Sequence, residues 1–179
     1  MFEVLVFVYE NYCPIDANPQ WEQLERKLNA VGFEAEEIQE ALVWLRGLSL
    51  VASGARSDGS EAEPSPTQAH RALDIDTAER GGPGFRDASA TSMRIYSTAE
   101  QDHLGSQCLG FVSFLESTGV LTAQLREIVV DRAMAAPGDP VCLDDLKIIV
   151  LMVYWSFGEE PDALVLDELC DDARLRVAH

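Results

Sequence analysis

From Leu146 to Phe157 only Lys147 and Ser156 are polar. A segment that is apolar on every side must be buried on every side, so this run predicts the centre of a core with other elements wrapped round it. It is too short to cross a membrane, which takes about 20 apolar residues. Asp144 and Asp145 precede it, and Glu159 and Glu160 follow it. The β-branched Ile148, Ile149, Val150 and Val153 suit a strand, but the run is long for a strand of about 5–6 residues. Its ends fit a helix better. Asp144 and Asp145 fall where the helix dipole favours negative charge, and Gly158 falls where a left-handed cap is wanted. A buried helix over 143–157 is expected.

Upstream, Phe2, Leu5, Tyr9 and Tyr12 follow helical spacing, while Val4, Val6 and Val8 equally suit a strand, and periodicity does not decide between them. Asn18-Pro19 supplies an N-cap and a first helical residue. Trp21, Leu24, Leu28 and Val31 form one stripe closed by Gly32. Phe33 and Ile38 make a hydrophobic staple. Ile38, Ala41, Leu42 and Leu45 form a second stripe, with Gly47 marking its end and Glu34, Glu36, Glu37 and Glu40 facing water. The Gly32-Phe33…Ile38…Ala41-Leu42…Leu45 pattern is similar to ubiquitin-associated three-helix modules that bind proteins, although an ordinary helical hairpin accounts for it more simply.

From about Ala52 to Thr91, Gly, Ser, Pro, Ala and charged residues dominate. Such a composition buries too little apolar surface to offset ordering entropy. A flexible linker is expected there, with one short helix near 67–74. Helical signals return at Ser97-Thr98-Ala99-Glu100, a capping box. Leu104, Cys108, Phe111, Val112 and Leu115 share one face, weakened locally at Gly105 and Gly110, and Gly119 stops that helix. Thr122 caps a further helix with Leu125, Ile128, Val129 and Ala133 inward and Arg126, Glu127, Asp131 and Arg132 on or beside its wet face. Pro137–Pro140 is a turn, and Asp162–Arg174 carries a last helical stripe. The expected fold class is all-α: an N-terminal helical lobe (1–52), a flexible linker (53–91) and a C-terminal helical lobe (92–179) built around helix 143–157.

Charge narrows the partners. The formal net charge is −18, and both ends are acidic. The whole-molecule field opposes direct binding to nucleic acid or an anionic membrane. Glu3 stands where a signal peptide needs positive charge, so the cytoplasm is expected. Cys13, Cys108, Cys142 and Cys170 are far apart in sequence and read as small apolar residues. With His70, His103 and His179 they lack the close paired spacing of a zinc site. Asp144-Asp145 and Asp171-Asp172 are better explained by solvation than by a bound cation. His103 reads as a surface histidine, not a base. No nucleophile motif is present. No catalytic, cofactor or metal residue is expected, and the protein is not expected to be an enzyme. The outline of a helix-turn-helix over 122–157 fails because its second helix is too apolar to read DNA.

One candidate interaction set remains: Arg94, Arg126, Arg132 and Lys147. These residues either form one basic patch for a phosphate or an acidic partner, or pair with Glu127, Asp131, Asp144 and Asp145. Pairing is the favoured reading.

The series Ser92-Met93-Arg94-Ile95-Tyr96, Cys108-x-Gly110-Phe111, Gly119-Val120-Leu121, Arg126 to Arg132 and Leu143-x-Asp145-Leu146-Lys147 resembles the bacterial Smg family. Met1 to Leu5 and the Gly32-Phe33…Ala41-Leu42-x-Trp44-Leu45 hairpin fit it too. Leu109 departs from an expected Arg, and the 52–91 stretch is longer and richer in Gly and Pro. The resemblance implies a mainly α-helical bacterial cytoplasmic protein, and a helix over Phe2–Tyr12. It brings no activity, cofactor or catalytic residue, only an association with DNA-processing genes. Two functions follow as expectations: a non-enzymatic interaction module or adaptor whose partner is another protein, and, as the alternative, a nucleic-acid-associated factor.

Overall fold

The computed structural model describes residues 1–12, 21–58 and 94–158. The expected cap at Asn18, the linker from residue 59 to residue 91 with its short helix, and the last helix over 162–174 lie outside them, whereas residues 53–58, expected to open the linker, continue α3. Six helices are described: α1 (Phe2–Asn11), α2 (Trp21–Val31), α3 (Ala35–Asp58), α4 (Thr98–Ser117), α5 (Ala123–Met134) and α6 (Leu143–Phe157). The fold is all-α, as expected.

Helix α6 is the hub. Every residue from Leu146 to Ser156 is buried, and α1, α3, α4 and α5 all pack on it. Its ends form as the sequence predicts. The Cys142 Sγ accepts the Asp145 amide at 3.4 Å, Asp144 and Asp145 occupy the first turn, and Gly158 adopts the left-handed conformation at φ 70°. Polar atoms on its apolar length reach out to neighbouring segments. Trp155 Nε1 donates to the Tyr12 carbonyl at 3.1 Å, and the Tyr154 hydroxyl donates to the Val120 carbonyl. A buried indole or phenol needs such a partner, because an unpaired polar group away from water is costly.

The first segment is a helix. Val4, Leu5, Val6 and Val8 are all buried in it, because α1 lies on α6 and also against α3. A helix covered on two sides needs more than one apolar stripe, and this is why its valines look strand-like when read alone. Helices α1 and α3 pack on α6 of the C-terminal half, and α3 also packs on α5. The helices share one hydrophobic core.

Helix α3 corrects the expected end at Gly47. Its buried face continues through Leu48 and Ala52, and the helix runs on to Asp58. Two details of the stripes also differ from expectation. Val31 is exposed, and Arg126 is buried, not on the wet face of α5. The capping box at Ser97 is present, with the Glu100 amide donating to Ser97 Oγ and the Ser97 amide to the Glu100 carboxylate. Thr122 Oγ1 accepts the Leu125 amide at 3.2 Å. Gly105, at φ 67° and ψ 171°, interrupts α4 with a kink. The turn after α5 is held by the Val141 amide, which donates to the His103 carbonyl at 2.8 Å. The ring of His103 reaches the Ala133 carbonyl.

Candidate interaction site

The four basic residues singled out from the sequence go to three different places. Arg94 lies in the non-helical segment that leads into α4. Its Nε bonds both oxygens of Glu127, at 2.8 and 2.9 Å, and its Nη2 bonds Glu100 at 2.8 Å. Its guanidinium also stacks over the Tyr96 ring, 4.5 Å from the centroid. Arg126, on α5, reaches the same Glu127 through Nε at 3.0 Å and Nη2 at 2.8 Å. Its Nη1 pairs with Glu116 of α4. Glu127 therefore accepts from two guanidinium groups at once and ties the Arg94 segment to α5, while Glu100 and Glu116 join α4 to the cluster.

The electrostatics follow from that geometry. The hydrogen bonds that Arg94 donates to Glu127 and Glu100 hold its guanidinium well above its usual range. The bond from Arg94, with help from the Ser97 amide, lowers the Glu100 carboxyl to about 2. Burial pushes Glu127 upward, but the bonds from Arg94 and Arg126 outweigh it and hold that carboxyl below its ordinary value. Burial raises the Tyr96 phenol against the opposing pull of both arginines, and its hydroxyl has no hydrogen-bond partner among the described residues. Two guanidinium groups face three carboxylates here. The cluster is a clamp between elements with no spare positive charge.

Arg132 sits elsewhere. Its Nε and Nη2 bond Asp131 at 2.9 and 2.6 Å, and its guanidinium lies over Gly47 of α3. Trp44 Nε1 donates to the Arg132 carbonyl at 2.9 Å. Lys147 belongs to the buried length of α6. The structure brings Arg94 and Arg126 together on Glu127, while Arg132 packs on α3 and Lys147 enters the core. Glu100, Glu116 and Tyr96 belong to the clamp and went unremarked in the sequence as its partners. The capping box at Ser97 placed Glu100 near the Arg94 segment, but no local signal marks Glu116.

The open surface is on the other side of Arg132. A cleft of about 710 Å³ lies between α3 and the end of α5, walled by Val43, Trp44, Gly47, Arg132, Ala136 and Pro137 among others, most of its lining apolar. Along α3, residues 36, 40, 43, 47, 50 and 54 recur at three- and four-residue spacing and share one face. Glu36 and Glu40 are exposed at its start. Val43 is 66% exposed and Leu50 75% exposed beyond them. The Arg132 guanidinium covers Gly47 between them, and exposed apolar side chains beside a cleft mark interaction sites.

Among the described residues, no group of three or more His, Cys, Asp and Glu side chains could hold a metal ion. No described helix is long and apolar enough to cross a membrane.

The fold and this surface define an all-α protein built on one buried helix, with a largely apolar cleft between α3 and the end of α5. A family model described as a protein of unknown function (DUF494) matches residues 1–179. Proteins called Smg homologs are similar over their full length and that of this chain: 51% identical in Methylibium petroleiphilum, 51% in Leptothrix cholodnii and 43% in Bordetella pertussis. The chain belongs to this Smg (DUF494) family, as the motif series implied. No solved structure matches it.

Proposed function

We propose that this chain is a non-enzymatic protein-interaction module, or adaptor, of the bacterial cytoplasm. The observation that supports this reading is the apolar cleft beside the exposed Val43 and Leu50 on α3. Leaving these side chains in water forgoes about 1.5–3 kcal/mol each, relative to full burial. A partner that covers them recovers part of that. The basic residues favour the same reading, since Arg94 and Arg126 are occupied by carboxylates and offer little to a phosphate backbone.

The test is affinity capture of the full-length protein from its native lysate, with and without nuclease. A stoichiometric protein partner that survives nuclease is the expected result. Recovery only while nucleic acid is intact would overturn the reading in favour of a nucleic-acid-associated factor. Turnover of a metabolite or nucleotide by the purified protein, abolished by a point mutation, would overturn it in favour of an enzyme.

A further inference from the structure

We propose that residues 94–104 form a strap, hinged at Gly105 and latched by Arg94, that opens as a unit while the rest of the fold stays closed. The hinge lies in the backbone. Gly105, at φ 67° and ψ 171°, divides α4 into helices 98–104 and 106–117. That conformation is open to glycine and almost closed to other residues. The first helix is short, and isolated helices of fewer than about 12–15 residues are marginal in water. It therefore persists through its capping box at Ser97 and its contacts with the rest of the molecule.

Those contacts are mostly polar. At one end Arg94 bonds Glu127 of α5, and Glu100 within the strap. At the other, the His103 carbonyl accepts the Val141 amide at 2.8 Å and the His103 ring meets the Ala133 carbonyl at 3.2 Å. Of residues 94–104 only Leu104 is fully buried. Ile95 is 90% exposed and adds no packing. Closing the strap also buries the Tyr96 hydroxyl with no hydrogen-bond partner among the described residues, a cost that the open form escapes. The latch itself is partly wet, with the Glu127 side chain 50% exposed, so salt screens it. Helix 106–117 is held differently, through Cys108, Val112 and Leu115 in the core. Segments with few buried apolar contacts open at the lowest free energy, which separates the strap from the helix that follows it. Opening releases Glu127 from Arg94 and uncovers the seat of Leu104 in the core.

Amide hydrogen exchange of the full-length chain, followed residue by residue by NMR, tests this. The Gln101 amide, bonded to the Ser97 carbonyl at 3.0 Å, and the amides from there to Leu104 report on the strap. Val112 and Leu115 report on helix 106–117, and Ile149 to Val153 on α6. The strap amides are expected to exchange at least about a hundredfold faster than the other two groups. Added salt should speed them further. Arg94→Ala should speed them by about five- to tenfold and leave helix 106–117 and α6 unchanged. Arg94→Lys, which keeps the charge but loses the two-pronged bond, should fall between. Gly105→Ala does not fit the hinge angles and should loosen the strap with α6 still protected; if that variant fails to fold, the Arg94 pair decides alone. Equal protection along the whole of 98–117 would overturn the proposal. So would an Arg94→Ala variant that loosens helix 106–117 and α6 in step with the strap. Strap exchange unmoved by both salt and Arg94→Ala would remove Arg94 as the latch and overturn it too.

Discussion

Gly47 lies beneath the guanidinium of Arg132, so that a methyl group at position 47 would collide with it. Glycine in a helix interior normally costs about 0.5–1 kcal/mol relative to alanine. Here that cost lets α3 and α5 approach each other, with Trp44 Nε1 fixed on the Arg132 carbonyl one turn away. Gly47→Ala should be close to neutral or destabilising in the natural chain. In an Arg132→Ala background the same change should stabilise by about 0.5–1 kcal/mol, because only the helix term is left. Urea unfolding of the four proteins measures the difference, and equal effects of Gly47→Ala in both backgrounds would remove the proposed contact.

The shared core predicts cooperative unfolding. Ile149 and Met152 are fully buried on α6, and α1, α3, α4 and α5 all lean on that helix. Ile149→Ala should cost about 2–5 kcal/mol. The loss should appear in both halves at once, so fluorescence from Trp44 and Trp155, each followed alone with the other tryptophans replaced by phenylalanine, should give one midpoint. Two midpoints would mean that the helix groups fold as separate bodies.

Arg126→Ala should act through stability. It leaves Glu116 and Glu127 without the guanidinium that links α4 to α5. Those carboxylates are 37% and 50% exposed, and water relieves much of their cost, so a loss of about 1–3 kcal/mol is expected. A variant with unchanged stability would show that the clamp contributes nothing.

Acid titration reports on the same clamp. The folded Glu100 carboxyl lies at about 2, below its ordinary 4.5, through its bond from Arg94. A lowered folded value means stability that is present above the unfolded value and is lost as pH falls from about 4.5 towards 2. Glu127 is shifted in the same direction. Glu100→Gln should flatten the fall in stability over that window and leave the curve above it nearly parallel. An unchanged slope in thermal melts between those pH values would contradict the assignment.

The parts of the fold that were legible are those where local chemistry and burial agree. An apolar run bounded by Asp144-Asp145 and Gly158 predicts α6, and Ser97, Glu100 and Thr122 announce their helices through hydrogen bonds made within three residues. Gly47 misled because its role depends on Arg132, a residue far along the chain, and no local signal separates that role from a helix stop. Arg126 reads as lying on or beside the wet face for the same reason. A guanidinium can be buried when Glu116 and Glu127 receive it, and periodicity sees only its charge. The cleft was not legible, since its two walls come from α3 and the end of α5. Its exposed stripe at Val43 and Leu50 was available in the sequence, but it lies opposite the core stripe of Ile38, Leu42 and Leu45, which carries the stronger signal.

The most direct measurement is the capture of partners by the full-length chain and by its Leu50→Asp variant from nuclease-treated lysate, with the melting temperatures of both proteins compared. At a side chain already 75% exposed, the substitution should leave the melting temperature nearly unchanged. The account predicts that the natural chain retains a stoichiometric protein partner and that the variant loses it. A partner held equally by both proteins, or recovered only when nucleic acid is left intact, would contradict it.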